Sequence, residues 1–298
     1  MLAPLVVGVL FFVFSAIWAF YKVETSVLPE DFQEVNLKIT DYQIQQIDEK
    51  SNTVKWVLKA EQAETSTDES QAEITKPQLK FFDNAKEKFT IDGDFANLDK
   101  AKQEIVITEN VTLKTTNSNI VINTNKMFFS EDNPFVEFSD QWKLLNKQGY
   151  LISGLKGKLS KNHDTIVSVG NASLSKQGDN FKISADSITL ELASATPVKA
   201  RSNAILDLTQ AQKLYAGSID IASDGGIKAN TNVKVITPTL ECYSTNLKVI
   251  PKADKNPQLA IFTGNPHIIQ GGNKIYADVI KYDFDTGEAH IEGNVHSG

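Results

Sequence analysis

The sequence holds one cysteine in 298 residues, Cys242, so no disulfide can form within the chain. A basic excess is missing as well: 30 Lys and Arg stand against 37 Asp and Glu, for a formal net charge of −7. An acidic chain without a basic stripe lacks the electrostatic footprint of a nucleic-acid binder, and no nucleic-acid partner is expected. Catalytic fingerprints are absent too, with no G-x-S-x-G elbow, P-loop or G-x-G-x-x-G turn. The four histidines, His163, His267, His290 and His296, share no metal-ligand spacing and read as surface or strand-exposed residues. Asp92 and Asp94, and Asp283 and Asp285, read as turn acids, because a calcium loop of the EF-hand type needs more acidic positions and a closing Glu. The expectation is a protein that is not an enzyme, with no catalytic residue, no metal and no cofactor. Cys242 alternates with Leu240 and reads as a small buried apolar residue rather than a reactive thiol.

Beyond residue 30 no stretch keeps a 3.6-residue period for more than two turns. The one long apolar run comes first. Leu2 to Tyr21 (LAPLVVGVLFFVFSAIWAFY) carries no charge. As a helix it is about 30 Å long, the thickness of a bilayer core. Trp18 and Tyr21 fall at one end, where interfacial aromatics belong, and Lys22 can snorkel. A cleaved signal peptide fits less well, because its basic n-region is missing and the run is too long. The spacing predicts an uncleaved membrane anchor over residues 1–22. The flanking charges do not fix its orientation.

What fills the remainder is a repeat. Gly-Asn occurs at Gly170-Asn171, Gly264-Asn265 and Gly293-Asn294, with looser copies at Glu109-Asn110, Ser202-Asn203 and Thr231-Asn232. The Asn positions are separated by 61, 32, 29, 33 and 29 residues, and the midpoint of the first gap falls at Ser139-Asp140-Gln141. A second landmark, small-Asp-x-apolar, keeps the same beat at Ala185-Asp186-Ser187-Ile188 and Ala277-Asp278-Val279-Ile280. A period near 31 points to a solenoid-like or laddered architecture.

Strand chemistry occupies each period. Asn110–Asp140 alternates apolar and polar residues through Val111, Leu113, Ile120, Ile122, Met127, Phe129, Val136 and Phe138, the period-2 signature of β-structure. The turn at "DFDTGEA" places Gly287 where φ is positive. Parity breaks between Ala185 and Ile188, which marks a bulge or bend at Asp186-Ser187 that carries a strand from one sheet into the facing one. Gly-Asn, tolerant of positive φ, is read as marking the other fold line. The predicted product is all-β: antiparallel strands in two facing sheets, with one apolar face in and one polar face out. Eight repeats of two layers give a ladder of roughly 60–80 Å.

An apolar-lined ladder tethered to a membrane admits two readings. Its interior is either a static core or a dry lining for acyl chains. On the second reading the lining residues are Ile105, Ile107, Val111, Leu113, Ile120, Ile122, Met127, Phe129, Val136, Phe138, Ile183, Ile188, Leu190, Val233 and Val235. The end strands are templates for pairing with other proteins. These partner edges comprise Leu37, Ile39, Ile44 and Ile47 at the start, and Ala289, Ile291, Gly293, Asn294 and Val295 at the finish. The rival is a membrane-tethered structural solenoid or polysaccharide-binding scaffold. The wide separation of Trp18, Trp56 and Trp142 speaks mildly against a sugar platform.

The stretch "GNPHIIQGGNKIYADVIKYDFDTGEAHIEGNV" (264–295) resembles the repeat of the OstA/LptA-like lipopolysaccharide-transport fold. The earlier chain resembles the LptC family through its apolar N-terminus, Trp56-x-Leu58-x-Ala60, the strand from Pro77 to Phe81, and Glu109-Asn110-Val111. The resemblance implies a bitopic inner-membrane protein, N-terminus cytoplasmic, carrying a periplasmic β-jellyroll or "β-taco". It implies an anchor at 1–22, an LptC-like jellyroll at 23–160 and an OstA/LptA-like continuation of the same ladder at 161–298. The implied partners are lipopolysaccharide, through its lipid A acyl chains, an LptB-LptF-LptG-type ABC transporter at the first edge, and an LptA-type bridge protein or its equivalent at the last. Simple LptC components are much shorter, which leaves open whether a separate bridge protein is needed.

Overall fold

The computed structural model describes residues 35–298 except 49, 50, 67–69, 117–119, 148, 178–180, 193, 210 and 254. The expected anchor over 1–22 lies outside the described residues. Among those described, no helix is long and apolar enough to cross a membrane.

Among the described residues, 22 strands form one antiparallel meander. Five pairs of short strands, such as Gln71–Thr75 with Gln78–Asp83, are two halves of a single layer, so the strands stack as 17 rungs. The first rung is Val35–Asp48, the second Thr53–Ser66, the seventh Phe135–Asn146, and the last combines Ala289–Glu292 with His296–Ser297. At about 4.8 Å per rung the ladder is about 80 Å long. Hydrogen bonding runs without a break across residue 160, since Tyr150–Ser160 pairs with Thr165–Lys176.

Each rung bends once, and the bends align into one crease. Seven residue pairs there have positive φ: Glu109-Asn110, Asp140-Gln141, Gly170-Asn171, Ser202-Asn203, Thr231-Asn232, Gly264-Asn265 and Gly293-Asn294. These are the repeat positions read from the sequence, including the degenerate copy at 140–141. Such a pair opposes one residue on the neighbouring rung. Val169 pairs with Ser187 and Ala172 with Ala185, which leaves Gly170 and Asn171 facing Asp186. The two landmarks therefore sit opposite each other on adjacent rungs of a single crease, not on two fold lines as expected. Hydrogen bonds explain why both are needed. Asn110, Asn203 and Asn294 donate their side-chain amides to Asp94, Asp186 and Asp278 at 2.6, 2.9 and 2.9 Å. The Asp94 N–H donates to the Glu109 carbonyl at 3.0 Å. Lys76 foremost, and Asn110 second, hold the Asp94 carboxyl below its usual range.

The crease divides every rung into two limbs of one folded sheet. The first limb includes 104–108, 126–130 and 135–139, and the second includes 111–115, 120–124 and 142–146. Both limbs turn their apolar side chains inward, and the rings meet across the fold. Phe129 of the first limb lies 5.8 Å from Phe81 and 6.4 Å from Phe89 of the second. Phe138 and Trp142 flank their corner in a T-shaped pair at 4.5 Å. Gly157, on the next rung, seats both: a Cβ there would lie 2.5 Å from Trp142 Cε2 and overlap the Phe138 ring. Cys242 is buried, as expected, and burial pushes its thiol up to about 12. Gly287 has φ 74° in its hairpin, where Asp283 accepts the N–H groups of Asp285 and Thr286.

The Gly157 packing generates a test. Gly157→Ala should cost about 1–3 kcal/mol by overpacking, read as a lowered urea midpoint. An unchanged midpoint would show that the Phe138–Trp142 pair is free to move aside.

Candidate functional site: the enclosed face and its seam

The fifteen lining residues expected from the sequence all point inward, and none is more than 5% exposed. Ile105, Ile107, Met127, Phe129, Val136, Phe138, Ile188 and Leu190 lie on the first limb. Val111, Leu113, Ile120, Ile122, Ile183, Val233 and Val235 lie on the second. They pack against one another across the fold, so the limbs are closed. Three buried polar atoms of this face have no hydrogen-bond partner among the described residues: Trp56 Nε1, Trp142 Nε1 and Thr65 Oγ1. A buried donor left unpaired costs about 1–3 kcal/mol.

Opposite the crease, the limb tips meet along a seam. In the N-terminal third, residues of both limbs close it. Lys55 on the second limb pairs with Glu131 at the tip of the first, and with Asp48 at 3.3 Å. Lys161, at the next first-limb tip, donates to the carbonyls of Ser130 and Glu131 at 2.8 and 2.7 Å. Its ammonium stands 5.3 Å from the Phe81 centroid and 4.9 Å from that of Phe129, within cation–π range. Burial lowers the Lys161 pKa to about 8, against partial compensation from Glu131 and Asp132. His163 of the same turn packs on Phe89 at 5.7 Å, and its Nε2 is buried without a partner among the described residues. The ring expected at the surface is half-buried, because the turn folds over the seam, and this burial lowers the imidazole pKa. A cleft of about 350 Å³ opens here between the tips, lined by Asp48, Lys55, Phe81, Asp83, Glu131 and Lys161 among others.

The expected partner edges separate into two cases. Leu37, Ile39, Ile44 and Ile47 all lie on Val35–Asp48, which pairs on one side only among the described residues. Leu37 and Ile47 are exposed, while Ile39 and Ile44 pack against the core. At the other end Ala289 and Ile291 belong to Ala289–Glu292. Gly293 and Asn294 are crease residues with φ of 70° and 30°, and pairing resumes only at His296–Ser297. The expected continuous strand from Ala289 to Val295 is thus split at the crease, as in four other rungs. Sequence reasoning missed a column of rings on the outer face. Tyr243 stacks on His267 at 4.9 Å, His267 meets Tyr276 at 5.2 Å, and Tyr276 stacks on His296 at 5.1 Å. One signal was present: His267 and His296 each stand two residues past a Gly-Asn corner. Among the described residues no group of three or more His, Cys, Asp or Glu is placed to hold a metal ion.

These features define a folded single-sheet β-ladder with an enclosed apolar face, a polar seam and a strand edge at either end. The family model described as lipopolysaccharide-assembly, LptC-related, matches residues 5–167, more than half of the sequence, and the chain belongs to that family. No curated protein matches the chain. Among solved structures, one that is similar is the crystal structure of LptH from Pseudomonas aeruginosa, the LptA-homologous periplasmic component of the conserved lipopolysaccharide transport device. It is 12% identical, covers 70% of this chain and 93% of its own, and has a TM-score of 0.15.

Half-buried Lys161 of the seam sets a pH dependence. Its folded pKa of about 8 lies below the ordinary 10.5, so the folded state carries a poorly solvated ammonium at neutral pH. Between pH 8 and 10.5 the folded protein sheds that proton before the unfolded chain does, and stability rises. Urea midpoints of the parent and Lys161→Met, compared at pH 7 and 9.5, should therefore diverge in the parent's favour at the higher pH. A pH-independent difference would mean that the ammonium is fully hydrated.

Proposed function

We propose that this protein is a membrane-anchored component of the lipopolysaccharide transport bridge. It receives lipopolysaccharide from an inner-membrane ABC transporter of the LptB-LptF-LptG type and passes it across the periplasm. Acyl chains travel along the enclosed face, and the headgroup follows the seam. The anchor at 1–22 holds the N-terminus in the cytoplasm and the ladder in the periplasm. The edge at Val35–Asp48 pairs with the transporter's periplasmic portion, and the edge at Ala289–Ser297 pairs with an LptA-type bridge protein or its equivalent. On this reading residues 23–160 form the LptC-like part and residues 161–298 extend the same ladder. The energy for extraction comes from the transporter's ATPase.

The observation that carries this reading is the continuity of the apolar face in a member of a lipopolysaccharide-assembly family. Acyl chains need a dry, continuous lining. Passage requires the limbs to part. The seam is suited to that, because partly exposed ion pairs contribute only about 0–1 kcal/mol each.

A second reading, a tethered scaffold that binds polysaccharide, draws on the column of Tyr243, His267, Tyr276 and His296. A sugar platform needs open ring faces, whereas most of these faces are covered by one another.

Photo-crosslinking decides between the two. A photoreactive residue replaces Ile122 or Leu190, which face inward, or Asn123 or Thr189, which do not. Adducts to lipopolysaccharide in energised membranes are expected from the inward sites only, and only with ATP. A folded protein that yields no adducts at any site would leave the scaffold reading.

A further inference from the structure

The enclosed face differs between its two ends. All three tryptophans precede residue 143, and the two that are described project their indoles into the fold. Trp56, on the second rung, is 3% exposed and Trp142, on the seventh, is 0% exposed. Each Nε1 is buried and has no acceptor among the described residues. Thr65, on the other limb of the second rung, adds a buried hydroxyl in the same condition. Beyond the seventh rung the lining beside the crease shrinks to Ala172, Ala185, Ala204 and Ala216 on four successive rungs, with no indole anywhere.

An indole N–H only donates, so its natural complement is an acceptor. A dry apolar interior excludes a charged acceptor, since an unpaired buried anion is far too costly. A neutral carbonyl meets both conditions. Acyl amphiphiles carry such carbonyls where each chain joins its headgroup, as esters or amides. Five rungs separate Trp56 from Trp142, about 24 Å along the ladder. That spacing makes them two successive stations and not one site.

We propose that Trp56 and Trp142 are specificity-determining donors that recognise the ester or amide carbonyls of an acyl-bearing amphiphile. The N-terminal part of the ladder then reads the chain–headgroup junction, and the C-terminal part, which holds no tryptophan, offers no such indole donor. This rests on the lipid-passage reading above and gives it a chemical selectivity: alkyl ethers of equal length fill the same space but leave the indoles unpaired.

The test uses the full chain in alkyl maltoside micelles with two probes, a diester phosphatidic acid and its diether counterpart of the same chain length. Native mass spectrometry measures binding of each. Proton–nitrogen spectra of the 15N-labelled indoles report the donors directly. The ester should bind about three- to tenfold more tightly, the worth of one net hydrogen bond. Trp142→Phe and Trp56→Phe should each shrink that preference. The indole protons should move downfield with the ester only. Equal binding of both probes with unmoved indole signals overturns carbonyl recognition and leaves lipid passage standing. Binding of neither probe overturns both. If Trp142→Phe fails to fold, the parent's indole resonances still decide.

Discussion

Everything in this molecule depends on the crease. A flat sheet of 17 rungs would expose an entire apolar face to water. Two left-handed residues opposing one shorten one side of each rung and fold the sheet onto itself. Left-handed backbone costs roughly 1–2 kcal/mol per residue outside glycine, yet four of the seven corners carry no glycine. Asn at the second position lowers that cost at six of the seven. At three corners, spaced 92 residues apart by their aspartates 94, 186 and 278, the Asn also bonds to the facing carboxylate. The folded sheet then supplies its own second layer, and no helix or separate sheet is needed to cover it.

Closure along the rest of the fold has a different character. Inside, fully buried Ile, Leu and Phe side chains contribute about 1.5–3 kcal/mol each. At the seam the contacts are ion pairs, a lysine on two carbonyls, and a cleft. Opening the limbs is therefore resisted by the interior far more than by the seam. A ligand that replaces the lost apolar contacts with its own hydrocarbon offsets that resistance, and a polar ligand does not. On the proposed reading, the conduit opens only for an acyl cargo, a population shift driven by differential affinity.

Successive first-limb tips are tied together at the same period as the crease. Lys161 reaches Ser130, and Lys255 reaches the Ser223 carbonyl, 31 and 32 residues away. Each rung contacts chiefly its neighbours, so stability is distributed along the ladder as in other repeat proteins. The end rungs have one neighbour fewer among the described residues, which leaves backbone groups available for another strand.

The sequence by itself determined the strands, the 31-residue beat, the corners and the inward set. These are local properties: alternation has period 2, and a left-handed pair must be written in residues that tolerate it. Ile122, Leu190 and Val235 could be assigned an inward face from their immediate neighbours, and Cys242 could be assigned to the core. Tertiary structure alone decided which landmarks face each other. Asp186 opposes Gly170-Asn171 on one side and Ser202-Asn203 on the other, and neither pairing leaves a mark in the repeat beyond a shared period. It also decided the seam, where Lys55 and Glu131 meet across 76 residues, the packing of His163 on Phe89, and the orphaned indoles of Trp56 and Trp142. Such contacts form across the fold between side chains with no regular spacing. Periodicity records how a rung bends but not which residues the bend brings together.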